Sequence, residues 1–169
     1  MSRRQGGARW ISSIRTSPGL IEGDITSVAV IDPPSLPFQV GNLVLDPSKD
    51  FTLEIKWKVF GAITPVWLAA LDQNWEVNAY AESLGAGPEV RLGTQSQDKN
   101  TFTACAGVNC REYTVTVTVP ANTLQEDSGD VSGIYKLVVS VFLNSNLGSP
   151  GFDVTGFREG PIIKVEDPN

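Results

Sequence analysis

Strict alternation of apolar and polar residues is the feature that most constrains what this chain can fold into. In F-T-L-E-I-K-W-K-V-F (51–60), every odd position from Phe51 to Val59 is apolar, and the residues between them are Thr, Glu or Lys. Successive side chains of a β-strand point to opposite faces, so this period of two predicts a strand with one face in a core and the other in water. Y-T-V-T-V-T-V (113–119) repeats the pattern, with threonines on the polar side.

Other apolar runs lie between turns rich in Pro, Gly, Asp and Asn, and they predict further short strands. Residues 65–71 are apolar without alternation and fit either a buried strand or one or two helical turns, whereas 94–100 is predicted to be a polar loop. In the longest run, Ile134, Val138 and Phe142 add apolar side chains to the second face, which predicts that part of this strand is covered on both faces. The further strands are predicted at 24–32, 38–46, 75–82, 88–93, 133–143 and 160–167.

The number and spacing of these runs predict the fold class. Eight to ten short strands, turn signals every eight to fifteen residues and no helical periodicity are typical of an antiparallel, two-sheet β-sandwich. A chain of 169 residues with 41% hydrophobic and 19% charged residues has the composition of one globular domain. We therefore expect an all-β sandwich domain at 23–169, preceded by an extended N-terminal arm at 1–22.

Charge is distributed unevenly between this arm and the rest of the chain. The first 20 residues contain four Arg and no acid, while the remaining 149 carry 9 basic and 19 acidic side chains, a net charge of −10. Trp and Arg dominate interface hot spots, so the arm is predicted to dock on a protein partner, such as the acidic body of a neighbouring copy. The alternative is a mobile tail. The predicted partner-binding residues are Arg3, Arg4, Arg9, Trp10, Ile14 and Arg15.

The local conformation of the arm is less regular than that of the body. No strand alternation occurs in residues 1–22, and Trp10, Ile11 and Ile14 are spaced to share one face of a short helical turn. The segment shows no strand pattern, and its spacing allows one short helical turn within the arm.

Nucleic acid and membrane partners are disfavoured by the same composition. An acidic body repels phosphates, so a sequence-independent grip on nucleic acid is not expected. No apolar run follows the basic N-terminus as it does in a secretory signal. No later run approaches the roughly 18 apolar residues that a transmembrane helix needs. We expect neither a signal peptide nor a transmembrane segment in this chain, and the compartment is left open.

Both cysteines lie in C-A-G-V-N-C (105–110), just before one of the alternating strands. Two Cys without any His cannot supply the four ligands of a structural zinc site, and C-x4-C ahead of a strand is not the C-x-x-C of a redox helix. The four residues between them suit a hairpin loop in which Gly107 or Asn109 takes a positive φ. Facing residues at the mouth of such a hairpin are close enough for a disulfide. The sequence favours a Cys105–Cys110 disulfide, or two free thiols in a reducing compartment.

Catalysis is disfavoured because the chain contains no histidine. Its absence excludes Ser-His-Asp and Cys-His nucleophile systems and histidine metal sites. A pair of carboxylates could still act in glycoside hydrolysis. However, Glu54, Glu76 and Glu82 all fall on the outward phase of their predicted strands, where an acidic residue ordinarily serves solubility. We therefore expect a non-enzymatic protein without a cofactor.

A calcium site is one alternative that the sequence leaves open. Hard cations prefer oxygen-rich loops, and E-D-S-G-D (126–130) places Glu126, Asp127 and Asp130 in one loop. The segment lacks the EF-hand pattern, and acidic turns are common. These three residues are weak calcium candidates, and the sequence otherwise predicts no metal site.

A carbohydrate site is the other alternative, and it depends on where the aromatic rings point. Trp57 and Trp75 fall on the inward phase of their strands and are predicted to lie in the core. Tyr80 falls on the polar phase, where its ring could face a ligand.

Three features together resemble the immunoglobulin-like sandwich. Tyr135 follows the corner E-D-S-G-D-V-S-G (126–133), as the corner tyrosine does at the start of the sixth strand of that family. Trp75 in N-W-E-V is similar to the core tryptophan of the third strand. The positions of the inter-sheet cysteines correspond to Leu53 or Ile55 and to Leu137, so the family disulfide is absent. The resemblance implies an immunoglobulin-like topology, while a jelly roll would give similar patterns.

This architecture hosts adhesion, scaffold and ligand-binding roles, so the fold alone does not choose among them. The sequence predicts a structural or protein-interaction module that forms homo-oligomers through its basic arm. A carbohydrate-binding or calcium-dependent adhesive domain is the alternative.

Overall fold

The computed structural model of this chain describes residues 9–12, 20–31, 43–144 and 153–167. Ten of the eleven described elements are β-strands and one is a short helix, which confirms the predicted all-β class. The described elements, in chain order, are β1 (Arg9–Ser12), β2 (Glu22–Ile31), β3 (Val44–Leu45), β4 (Phe51–Phe60), α1 (Thr64–Ala70), β5 (Trp75–Ser83), β6 (Val90–Gln97), β7 (Thr103–Ala104), β8 (Arg111–Val119), β9 (Ile134–Leu143) and β10 (Val154–Val165).

The described strands form two sheets. One has six strands, in the order β1-β10-β9-β5-β6, with the short β3 pairing in parallel to the end of β10. The other has four strands, in the order β2-β4-β8-β7. Apart from the β3–β10 pair, neighbouring strands are antiparallel. The consecutive strands β5 and β6, β7 and β8, and β9 and β10 pair within one sheet, whereas every other step along the chain crosses between the sheets.

The core lies between the inward faces of the two sheets. In β4 the predicted odd positions are buried and the even positions are partly exposed, which confirms the alternation from Phe51 to Phe60. Tyr113 stacks on Trp57 with ring centroids 5.3 Å apart, and both belong to the four-stranded sheet. Trp75 of the six-stranded sheet meets their rings edge-on, at 5.9 and 5.5 Å. These aromatic contacts join the two sheets, and both tryptophans lie in the core as expected.

Residues 64–70 form the helix α1, which is one of the two outcomes that their sequence allowed. Pro65 stands in the first turn, where its missing N–H costs no helical hydrogen bond. Trp67 and Leu68 are buried and join the core between the sheets, whereas Val66 is exposed.

The predicted polar loop at 94–100 is wrong over its first four residues. β6 continues to Gln97, which lies opposite Trp75 of β5. The last strand begins at Val154 rather than at residue 160, because its first part pairs with β9 before a bulge between Glu159 and Ile162. In both places, backbone pairing with a long neighbouring strand overrides a weak side-chain pattern.

The described part of the arm is a strand, although its sequence shows no alternation and its spacing allowed a short helical turn. Arg9–Ser12 is the strand β1, paired with Val154–Phe157 of β10. The edge of a sheet offers unpaired N–H and C=O groups, and a segment without any alternation can satisfy them. Arg3, Arg4, Ile14 and Arg15 lie outside the described residues. So does most of the predicted strand at 38–46, of which only Val44–Leu45 is seen as a strand.

Several loops are tied to the sheets by single side chains. Tyr135 is buried at the start of β9, and its hydroxyl donates to the carbonyl oxygen of Gln125 at 3.0 Å. The same hydroxyl lies 3.3 Å from the Gln125 nitrogen, whose N–H donates to it. Leu137, two residues further along β9, is fully buried, as are Leu53 and Ile55 of β4 in the other sheet.

Candidate functional site

The arm meets the body at the edge of the six-stranded sheet. Arg9 of β1 is opposite Phe157 of β10, and Ser12 is opposite Val154. Of the predicted arm residues, Arg9 and Trp10 are therefore placed in a strand beside β10, and the other four fall outside the described residues. The pairing with β10 thus fixes the position of Arg9–Ser12 at the edge of this sheet.

One end of the body carries a dense group of acids. Here β4 begins and β8 and β10 end, so the segments 46–50, 120–133 and 164–167 lie together. An open groove of about 410 Å³ is lined by Glu126, Asp127 and the residues 164–167. The charged residues of this acidic end are Asp46, Lys49, Asp50, Glu126, Asp127, Asp130, Lys164, Glu166 and Asp167.

Hydrogen bonds to neighbouring side chains shift the pKa values of two of these groups. The Asp46 carboxylate accepts from the Ser48 hydroxyl at 2.6 Å and the Ser48 N–H at 2.9 Å, and it lies 3.0 Å from Lys49 Nζ. These bonds, the hydroxyl first, lower the pKa of Asp46 to about 2. Lys164 Nζ lies 2.6 Å from a Glu166 oxygen, and that hydrogen bond raises the pKa of Lys164. Asp46 thus keeps its negative charge down to acidic pH.

The calcium candidates lie in this end, but the structure does not gather them into a metal site. Within the described ranges, no group of three or more His, Cys, Asp or Glu side chains is placed to hold a metal ion. Glu126 instead accepts a hydrogen bond from the Asp167 N–H at 3.0 Å, which ties the loop before β9 to the end of β10. Asp127 and Asp130 are exposed in the same loop.

The cysteines lie at the opposite end, in the loop between β7 and β8. Cys105 and Cys110 are bonded to each other, with Cα atoms 5.0 Å apart. Gly107 and Asn109 both take positive φ, 132° and 52°, as the loop requires. The Asn109 side-chain amide donates to the carbonyl oxygens of Gly61 and Ala62, both at 3.2 Å. The disulfide loop thereby fastens the turn between β4 and α1.

The outward faces of the two sheets differ in character. On the four-stranded sheet, β8 presents three exposed threonines, and Lys56 of β4 pairs with Glu54 at 3.1 Å. On the six-stranded sheet, Phe157 is 43% and Ile162 is 52% exposed, and Val138 and Phe142 are half-buried. We call this second surface the apolar face; it comprises Tyr80, Ile134, Val138, Phe142, Phe157 and Ile162.

The polar residues next to the apolar face are hydrogen-bonded to one another. Asn78 is only 8% exposed, and its side-chain oxygen accepts from Arg91 at 3.0 Å and from the Thr94 hydroxyl at 2.6 Å. Its amide nitrogen donates to Glu76 at 2.8 Å. This network fixes the side chains that lie beside Tyr80 on β5 and β6.

A lysine holds two carboxylates on the same face. Lys136 Nζ lies 3.0 Å from a Glu82 oxygen and 3.1 Å from a Glu159 oxygen. Its hydrogen bonds, the one to Glu82 first, raise the pKa of Lys136. Both carboxylates are about half exposed, at 51% and 55%. They form an ion triad on an open sheet surface.

The three carboxylates singled out from the sequence do not converge. Glu54 lies on the four-stranded sheet, while Glu76 and Glu82 lie on the six-stranded sheet. Glu76 and Glu82 are six residues apart on one strand, which separates them by roughly 20 Å. That exceeds the spacing of about 5–9.5 Å found in glycosidase pairs. Tyr80, the one aromatic residue predicted to point outward, is half-buried beside them.

Phe157 and Ile162 are the surface residues that the sequence did not identify. Both belong to the part of β10 around the bulge, where no alternation runs through the segment. The sequence did contain one indication of this surface: β9 carries apolar residues on its outward side as well, at Ile134, Val138 and Phe142. Phe157 and Ile162 lie on the same side of the sheet, on the neighbouring strand.

Comparison with protein-family models and with curated proteins found no match to this chain. In the ranges that the structure describes, no helix is long and apolar enough for a bilayer crossing. The functional interpretation therefore depends on the chain's own surfaces and charges.

Proposed function

We propose that this chain is a non-enzymatic structural or protein-interaction module that assembles with copies of itself through its basic N-terminal arm. The observation that carries the proposal is the pairing of β1 with β10, because it fixes where the arm leaves an otherwise acidic body. Arg3 and Arg4 precede this strand in the sequence by only a few residues. They can therefore reach a neighbouring molecule that lies against the same end or edge.

An immunoglobulin-like β-sandwich is the architecture that we propose for the module. The order β2-β4-β8-β7 in one sheet and β10-β9-β5-β6 in the other corresponds to the A-B-E-D and G-F-C-C′ orders of that family. Buried Trp75 on β5 and the Tyr135 hydroxyl bond to the loop before β9 support the same assignment. This order favours an immunoglobulin-like fold over a jelly roll.

Charge complementarity supports the acidic end as the surface that receives the arm. The first 20 residues carry four Arg without an acid, and the acidic end holds seven carboxylates and two lysines around an open groove. A basic arm that binds the acidic end of the next molecule makes a head-to-tail contact. The contact is electrostatic and exposed, so salt should weaken it.

Light scattering of the full chain and of a charge-reversed arm tests this function. We expect the double variant Arg3→Glu/Arg4→Glu to have a lower average mass than the unaltered chain at low salt. The double variant Lys56→Glu/Lys58→Glu is the matched control, because it makes the same change in net charge on the four-stranded sheet. An unchanged mass for the arm variant, or an equal loss in both variants, would contradict a role for the arm.

A further inference from the structure

The apolar face is unusual for the outward side of an antiparallel sheet. Such a sheet ordinarily buries one face and presents polar residues on the other, as β8 does with its exposed threonines. β9 instead carries apolar residues on both faces, and Phe157 and Ile162 of β10 extend its outward face. Exposed apolar residues that adjoin one another mark an interaction surface.

The extent of this face matches what a stable protein interface requires. The strands β10, β9, β5 and β6 lie side by side at about 4.8 Å, and a ten-residue strand such as β9 is about 34 Å long. The whole outward side of these four strands, which includes the apolar face and the polar side chains around it, is thus roughly 650 Å². A standard interface buries about 800 Å² on each partner. Small contributions from neighbouring loops would close that difference.

The distribution of charge is compatible with a second copy of this chain as the partner. The whole chain has a net charge of −6, so two copies repel each other wherever unpaired acids face one another. On the apolar face the charges nearly cancel, because Glu82 and Glu159 share Lys136, while Glu76 is linked through Asn78 to Arg91. This is the broad surface where two copies can approach with little repulsion.

We propose that the apolar face is a two-fold interface between two copies of this chain. In such an interface the same surface meets itself, so apolar residues of β9 and β10 pack on their equivalents. The arm strand β1 borders this surface, since Arg9 lies opposite Phe157. The proposal goes beyond the arm contact, and the two differ physically: burial of apolar surface withstands salt, whereas the arm contact does not.

Two substitutions on the face test the proposal. We expect the unaltered chain to keep twice its monomer mass in high salt, and Phe157→Asp/Ile162→Asp to fall to the monomer mass. Thr114→Asp/Thr116→Asp, which places two carboxylates on the outward face of the other sheet, should keep the dimer mass. A monomeric unaltered chain in high salt, or an unchanged mass for the face variant, would overturn the proposal.

A measurement on the unaltered chain tests the same interface without relying on a variant that could fail to fold. Hydroxyl-radical labelling of Phe157 and Ile162 should decrease as the protein concentration rises through the association range. Labelling of Val66 in α1 and Val108 in the disulfide loop, which are 74% and 63% exposed and lie outside the apolar face, should stay constant. Equal labelling of Phe157 at every concentration would count against the interface.

The arm variant separates this proposal from the proposed function. If Arg3→Glu/Arg4→Glu leaves the low-salt mass unchanged while Phe157→Asp/Ile162→Asp yields monomers, the arm contact is wrong and the face interface is right. The reverse pattern rejects the face and retains the arm.

Discussion

Single side chains hold the loops of this molecule to its sheets. The Asn109 amide joins the disulfide loop to the turn at Gly61, and the Tyr135 hydroxyl joins the loop before β9 to its strand. The Asp50 carboxylate accepts the Ala121 N–H at 2.7 Å and joins the start of β4 to the end of β8. The bonds of Asn109 and Asp50 join segments 48 and 71 positions apart in the sequence, and that of Tyr135 spans ten positions. Removing any of them should loosen the loop that it holds.

The disulfide is expected to contribute modestly to stability. Its cysteines are five positions apart, and closing so short a loop removes about 2 kcal/mol of chain entropy from the unfolded state. We therefore predict that Cys105→Ser/Cys110→Ser lowers the free energy of unfolding in urea by about 2 kcal/mol.

Reduction of the unaltered protein supplies the control for this prediction. Adding a reductant should bring the unaltered chain to the stability of the serine variant and should leave the variant unchanged. Equal stability of the two proteins under oxidising conditions would contradict a stabilising disulfide.

The lowered pKa of Asp46 predicts that the stability of the protein depends on pH in the acidic range. Its folded pKa, about 2, lies below the unfolded value of 3.8, so its contribution is present above about pH 4 and is lost as the pH falls toward 2. Asp46→Asn should therefore lose less stability than the unaltered chain between pH 4 and pH 2, as measured by urea unfolding. Ser48→Ala removes the main hydrogen bond and should act in the same direction. Identical pH profiles for all three proteins would contradict this assignment.

At the scale of elements, two short strands, β1 from the arm and β3, complete the six-stranded sheet by pairing with β10. β1 covers the first four residues of β10, and β3 covers its last two. These pairings depend on backbone hydrogen bonds, which exposed edges otherwise offer to other chains.

Truncation before and after β1 tests its pairing. Removing residues 1–8 leaves β1 in place, so hydrogen exchange at 154–157 should remain as in the full chain. Removing residues 1–12 exposes the β10 edge, and exchange at 154–157 should become faster. Equal exchange in both truncated chains would contradict the β1–β10 pairing.

The strands that bury one face could be predicted from the sequence because burial itself imposes their alternation. In β4, β8 and β9, for example, the buried residues are the ones that the alternation predicted. β1 and the end of β6 could not be predicted, since an edge strand needs a partner rather than a pattern. α1 stayed undecided because a short apolar run fits a strand and a helix equally well.

Of the candidate sites, only local features could be derived from the sequence. The Cys105–Cys110 hairpin depends on six adjacent residues, so its spacing and turn residues carry the information. The apolar face depends on residues from separate strands, and the bulge in β10 sets where Phe157 and Ile162 fall relative to β9. A register of that kind is fixed by tertiary pairing.

At the scale of the whole molecule, charge and apolarity are segregated. Acids concentrate at the end where β4 begins, and the opposite end carries the uncharged disulfide loop and α1. The apolar face lies along one side, next to the basic arm. A body with these distinct surfaces is suited to directed contacts between copies, and we expect assembly rather than catalysis to be its activity.

Sedimentation equilibrium of the full chain tests self-assembly most directly. One chain has a mass of 18.2 kDa, and we predict an average mass that rises with concentration to at least twice this value. A mass of 18.2 kDa at every concentration, in low and in high salt, would contradict both the arm contact and the face interface.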